Sequence, residues 1–305
     1  MKTNNLGPRA GKSQPALFDR DLLKPFEGVP THSLYPEFIA VASGLKPVLR
    51  TYAIRLDRYA ALKKLLAARR LFSERSDFRI SSEDDTLLDP QGESAYVYIS
   101  GSAALAARAK KCEEGILGRR KPSYSDSLEF SKLMGYPRCC FDFFLKFVTG
   151  RPPRPSHLAE YEALKNTGGT PSFYLNNLIR GDHYLVSHYP CSYRCGPSVN
   201  YARALLGEIR KVRPALAGKL ARLLKCPVIK FPEKGSYVRL LGGRAAEGGA
   251  VRYRDCDGEA GLAARFAKGD SLRASESRIQ IFKNGLPAGA YRRKNKDDGT
   301  VFIFE

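Results

Sequence analysis

Four of the chain's seven cysteines and one of its four histidines fall in two short segments, Gly135-Tyr136-Pro137-Arg138-Cys139-Cys140 and His188-Tyr189-Pro190-Cys191-Ser192-Tyr193-Arg194-Cys195. Thiolate and imidazole are the ligands of soft and borderline metal ions, and a thiolate is also a nucleophile. His188, Cys191 and Cys195 are spaced three and four apart, so even an irregular turn can converge them on one ion. One cysteine of the Cys139–Cys140 pair then closes a Cys3His set suited to tetrahedral zinc. Three cysteines without the histidine can instead carry a [4Fe-4S] cluster with one iron open. A metal-free thiol site remains a third chemistry, with Cys191 or Cys195 as nucleophile and His188 as base. The bland alternative is a set of packed cysteines beside a satisfied core histidine.

Both segments read as a turn feeding a helix. Pro137 sets the turn before the cysteine pair, and Cys195-Gly196-Pro197-Ser198 leads into the next helix, so each half presents thiols to the positive end of a helix, with a lowered pKa expected. Neighbours on a helix point about 100 degrees apart, which predicts one ligand and one spare from the Cys139–Cys140 pair. Asp182 and His183, just upstream of the second segment, are candidate catalytic residues, able to orient a ligand or move a proton. Tyr136, Tyr189 and Tyr193 are candidates for the walls of a pocket.

Leu-x-Gly-Tyr-Pro-x-Cys-Cys-x-x-Phe-Phe followed by His-x-Pro-Cys-x-x-x-Cys resembles an uncharacterised domain family of archaeal and bacterial genomes, over roughly Tyr124 to Val212. The resemblance implies that the two cysteine segments belong to one unit, and it carries no activity.

The elements that must position these residues follow from texture. Residues 1–30 read as an arm. Within it Gly11-Lys12-Ser13 lacks the upstream glycine and preceding strand of a phosphate-binding loop. Residues 31–120 read as a small α/β layer, with a strand over 48–56, a helix capped by Asp57, strands near Phe78–Ile80 and Ala95–Ser100, and a helix through Leu105, Ala109 and Cys112. Residues 121–226 read as a helical cysteine/histidine domain with helices over 126–134, from Cys139 to about 149, over 158–166 and 172–186, after Pro197, and over 215–224. Residues 227–305 alternate β-branched and aromatic runs with Gly-Gly, Asp-Gly and Asn-Gly turns, the pattern of an antiparallel β module. The fold class is α+β.

Composition bounds the partners. Lys plus Arg is 51 against 31 acids, a net charge of +20. Such a surface field attracts nucleic acid or another polyanion, and Arg203, Arg210, Lys211 and Arg213 on the helix after the second segment are the candidate contacts. No run suits a membrane span and no secretory signal opens the chain, so no membrane partner and a cytoplasmic location are expected. An odd cysteine count with two adjacent fits a reducing compartment. Cys112, Cys226 and Cys256 have no partner at ligand spacing. Reaction, substrate and oligomeric state are outside what these residues specify.

Overall fold

The computed structural model describes residues 34–51, 53–81, 88–117, 123–150, 154–179, 183–233 and 236–305. The expected arm at 1–30 and the candidate Asp182 lie outside the described residues.

The fold is mixed α+β, with antiparallel sheets throughout the described residues. Helix α1 (Leu34–Ala42) is buried along most of its length and leads into strand β1 (Leu49–Arg50). The single strand expected over 48–56 is two short ones, β1 and β2 (Ile54–Arg55), which belong to different sheets. Helix α2 (Leu56–Ala67) begins one residue before Asp57; Arg55 occupies the cap position, and Asp57 in the first turn binds the Arg55 guanidinium at 2.9 Å. Strands β3 (Phe72–Arg75), β4 (Ser94–Ala95) and β5 (Val97–Ser100) complete the two small sheets, in the order β1-β5-β3 and β2-β4. Of the strand expected at 78–80 only Ile80 makes bridges. Helix α3 (Ala103–Leu117) packs on this layer.

The middle of the chain is helical: α4 (Tyr124–Leu133), α5 (Arg138–Thr149), α6 (Ala159–Lys165), α7 (Gly196–Val212) and α8 (Pro214–Leu224). The helix expected over 172–186 is absent from the described residues of that range. Among the described residues a short 3-10 turn at Phe173–Leu175 is followed by irregular, mostly buried chain. Pro171 precedes it, and Asn176 and Asn177 donate from Nδ2 to the carbonyls of Leu224 and His188, both at 2.7 Å. The two amides thus satisfy the last carbonyl of α8 (Pro214–Leu224), which has no partner within that helix, and a carbonyl of the second cysteine segment.

The last third holds a four-stranded sheet in the order β10-β7-β6-β14 and a five-stranded sheet in the order β13-β12-β11-β9-β8. Its strands are β6 (Val228–Lys230), β7 (Tyr237–Leu241), β8 (Arg244–Ala246), β9 (Ala250–Arg252), β10 (Asp255–Gly258), β11 (Ser271–Ala274), β12 (Arg278–Lys283), β13 (Leu286–Arg292) and β14 (Thr300–Phe302). A helix not expected from the sequence, α9 (Ala260–Phe266), starts where the Glu259 carboxylate accepts from the N–H groups of Gly261 and Leu262.

The largest apolar cluster runs from Leu34 and Phe38 through Leu62, Ile99, Leu205 and Leu220 to Phe302, so the first layer, the helical middle and β14 share one core. The C-terminal residues return under the second cysteine segment. Phe302 and Phe304 set their rings 5.8 and 5.7 Å from Tyr193, and Glu305 N–H reaches the Pro171 carbonyl at 3.0 Å.

Candidate metal centre and adjoining cavity

The first cysteine segment is built by a helix stop and a helix start five residues apart. Gly135 adopts φ +72°, closing α4 with hydrogen bonds from Gly135 N–H to Lys132 O and Tyr136 N–H to Ser131 O. That paired closure favours glycine at the left-handed position. Pro137 then caps α5, placing Cys139 and Cys140 in its first turn. The second segment is pinned from several sides. Asn177 Nδ2 holds the His188 carbonyl, Asn166 Nδ2 donates to the Cys191 carbonyl at 3.1 Å, and Tyr193 N–H reaches Thr167 Oγ1 at 2.8 Å. The Phe144 and Tyr189 rings stack at 4.9 Å, and Cys195 caps α7.

These two assemblies bring all four cysteines together. The ligand atoms of Cys139, Cys140, Cys191 and Cys195 lie within 4.8 Å of one another. Cys139 Sγ is 4.0 Å from Cys140 Sγ and 3.6 Å from Cys195 Sγ, and Cys140 and Cys195 are 3.5 Å apart. Both Cys139 and Cys140 thus face the cluster, where the helix angle predicted only one. In the first turn no preceding turn blocks either thiol, so both side chains swing toward the helix end and meet there.

His188 does not join the sulfurs. It is buried, and its Nε2 lies 2.8 Å from Ser198 Oγ. Ser198, itself fully buried, touches Cys140 Sγ at 3.3 Å and donates to Cys195 Sγ at 3.5 Å. Ser198 belongs to neither cysteine motif, but its place three residues after Cys195, in the first turn of α7, puts its hydroxyl over the same helix end. His183 is buried within the second segment's approach. Cys226 and Cys256 sit elsewhere, each donating to a carbonyl of its own neighbourhood, Arg222 and Ala263.

The electrostatics of the bare thiols correct the expectation that every one is acidified. Hydrogen bonding from the Cys140 thiol, together with the Ser198 hydroxyl and N–H, draws Cys195 down to about 4. Cys140 is pushed far up by sharing its proton with Cys195 and by burial. Burial, with the neighbouring Cys195 sulfur, pushes Cys191 up to about 12. Sulfurs this close cannot all be anionic without a cation among them. Cys140 also accepts the Cys191 N–H at 3.4 Å. Burial and the Lys46 ammonium push His188 down to about 3, so its imidazole is neutral.

Against the buried side of the centre lies a cavity of about 510 Å³, with Cys140, His188 and Tyr136 in its wall and phenylalanines of α4 and α5 opposite. Its charged lining is Glu37, Lys46 and Arg50, none of which has a local sequence signal. Lys46 forms a buried ion pair with Glu37 and donates to Ser187 Oγ at 3.2 Å, with its ammonium 5.7 Å over the Tyr136 ring. The Tyr136 ring in turn meets His188 at 5.2 Å. Lys46, Tyr136 and His188 thus succeed one another by ring contacts, and His188 and Ser198 carry the series by hydrogen bonds to the sulfurs.

The basic candidates are exposed. Arg203 lies over the Tyr174 ring at 5.5 Å, Arg213 over Tyr35 at 5.5 Å, and Lys211 pairs with Glu208 at 2.7 Å, while Arg210 extends from the same helix. No described helix is long and apolar enough to cross a membrane. Comparison of the chain with family models, curated proteins and solved structures returned no match.

Proposed function

We propose that this chain is a zinc-binding protein in which one ion, held by Cys139, Cys140, Cys191 and Cys195, fastens the start of α5 to the start of α7 and fixes one wall of the adjoining cavity. The observation that carries the reading is the sulfur spacing. A tetrahedral ion with Zn–S near 2.3 Å needs sulfurs about 3.8 Å apart, and the resolved separations of 3.5, 3.6 and 4.0 Å bracket that edge. A four-iron cluster spreads its cysteines over separate irons and asks for wider spacing.

The ion supplies the positive charge that lets all four thiols ionise together. The N–H of Cys191 holds the Cys140 sulfur and the hydroxyl of Ser198 the Cys195 sulfur, and neutral His188 holds Ser198. A closed four-thiolate set suits a structural ion, since a catalytic ion keeps a position open. Ligand chemistry then belongs to the cavity. The resemblance over Tyr124 to Val212 is part of the same proposal, with both cysteine segments forming one unit. All seven cysteines are free thiols, which fits a reducing compartment and hence the cytoplasm.

Anaerobic purification followed by elemental analysis tests the reading. The expected result is a colourless protein with one zinc per chain; a brown protein with iron and sulfide would replace it with the cluster. A second reading, polyanion binding, is supported by the exposure of Arg203, Arg210, Lys211 and Arg213 along α7 and its end. It requires retention on heparin at low salt that falls steeply as salt rises and is lost on reversing Arg210, Lys211 and Arg213.

A further inference from the structure

We propose that the cavity beside the cysteine centre binds a free α-amino acid with a large apolar side chain. Its volume of about 510 Å³ is in the range of small-molecule sites. Phe130, Phe141, Phe144, Leu145 and Val148 supply an apolar, largely aromatic wall. Glu37, Lys46 and Arg50 bring charge into the same lining. Burying an ion pair is costly and gains little stability over apolar packing, so charges kept beside an open cavity point to a ligand that uses them.

The charges come in two pairs. Lys46 holds one oxygen of Glu37, and the other, Oε1, has no hydrogen-bond partner among the described residues. Arg50 Nε binds Glu113 Oε1 at 3.0 Å, while Glu113 Oε2 accepts from the Tyr98 hydroxyl at 2.7 Å. The Arg50 guanidinium is also stacked 3.9 Å over the Tyr96 ring. Its Nη1 makes a long contact to the Thr51 carbonyl at 3.4 Å, and its Nη2 has no partner among the described residues. A third of the Arg50 side chain remains exposed, and the residue lines the cavity.

Glu113 is not part of the cavity lining but pairs with Arg50 from behind it, and with it counted the two cations and two carboxylates cancel. A ligand of either net charge would leave an uncompensated charge in a low-dielectric space, whereas a zwitterion would not. The unused donors and acceptor fit that choice. The free Glu37 oxygen accepts an ammonium, and the fixed Arg50 fork receives a carboxylate. The apolar wall then takes the side chain. This inference rests on the cavity's own charges rather than on the ion; because Cys140 and His188 form part of the wall, it is tested on protein of measured metal content, so that loss of the ion and failure to bind are told apart.

Calorimetric titration with L-phenylalanine and L-tryptophan, beside 3-phenylpropionate (anion only) and phenethylamine (cation only), is the experiment. One saturable site for at least one of the amino acids is expected, with the single-charge analogues weaker by about tenfold or more. Val148→Trp, which fills the cavity from a partly exposed position on α5, is expected to abolish binding with metal content retained. Arg50→Lys keeps the charge but loses the fork, and is expected to weaken binding about tenfold or more, which keeps the question open should Val148→Trp fail to fold. Absence of saturable binding by both amino acids at millimolar concentration, equal binding of an analogue bearing one charge, or full binding by folded Val148→Trp would each overturn the proposal.

Discussion

The core beneath the cysteines and the core of the C-terminal sheets are held together differently. Around the cysteines, Glu37, Lys46, Asn176, Asn177, His188 and Ser198 are buried among the apolar side chains, and the described residues from Ser172 to Cys195 contain little regular structure. Between the sheets, Ile229, Val238, Leu240, Val251, Leu272, Ile279 and Ile281 form an apolar cluster on regular antiparallel ladders. The second region satisfies its backbone by pairing strands. The first does so with side-chain amides, hydroxyls and sulfurs, each committed to a specific partner, so removing one partner leaves another buried and unsatisfied. The contrast teaches where to expect all-or-none behaviour and where to expect graded losses.

The sharpest break of the contrast is at the sulfurs. Cys195→Ser is expected to reduce bound metal from one ion per chain to a small fraction and to lower the melting temperature on the order of 10 °C or more, since metal affinity is folding free energy. Metal analysis and calorimetry of the same preparation check it. Next comes the buried ion pair. Lys46→Met leaves the Glu37 carboxylate unpaired at a cost of about 3–5 kcal/mol, and adding Glu37→Leu is expected to recover most of that. Denaturant titration of the single and double variants reads the recovery. In the sheets, Leu240→Ala is expected to cost about 2–4 kcal/mol by leaving a cavity, with metal content unchanged and no partner substitution that restores it.

A smaller effect is tied to pH. His188 is held neutral, with its pKa lowered to about 3 from an unfolded value near 6.5. Between those values the unfolded chain binds a proton that the folded chain does not. Stability from this group is therefore complete above pH 6.5 and is lost as pH falls toward 3, at no more than about 1.4 kcal/mol per pH unit. Denaturation of wild type and His188→Gln from pH 7.5 to 5.5, with metal content followed, is expected to show a shallower pH dependence in the variant. At the small end, Cys256→Ser in the sheet region is expected to change stability by about 0.5 kcal/mol or less. A loss as large as that of Cys195→Ser would erase the distinction between the two regions.

Legibility from sequence follows the same division. The alternation in Arg278–Lys283 and the three- and four-residue spacing of Ala202, Leu205, Leu206 and Ile209 are local signals, and β12 and α7 form where those patterns lie. The cysteine segments were legible as a pair because their residue types are rare and their flanking turns are strong. What was not legible depended on side chains replacing backbone. Phe173, Leu175, Leu178 and Ile179 have a helical rhythm, but Asn176 and Asn177 reach across to Leu224 and His188 and hold the chain open. Adjacent side chains diverge by about 100 degrees in mid-helix, but Cys139 and Cys140 lie in a first turn, where both can reach the helix end. Lys46 meets Ser187 across 141 positions of sequence, a contact no local pattern announces.

X-ray absorption at the metal edge of the purified protein tests the four-cysteine centre most directly. Four sulfur scatterers near 2.3 Å with no imidazole signal are expected; three sulfurs with a nitrogen near 2.0 Å would return His188 to the ion and contradict the arrangement of Cys139, Cys140, Cys191 and Cys195 as a closed set.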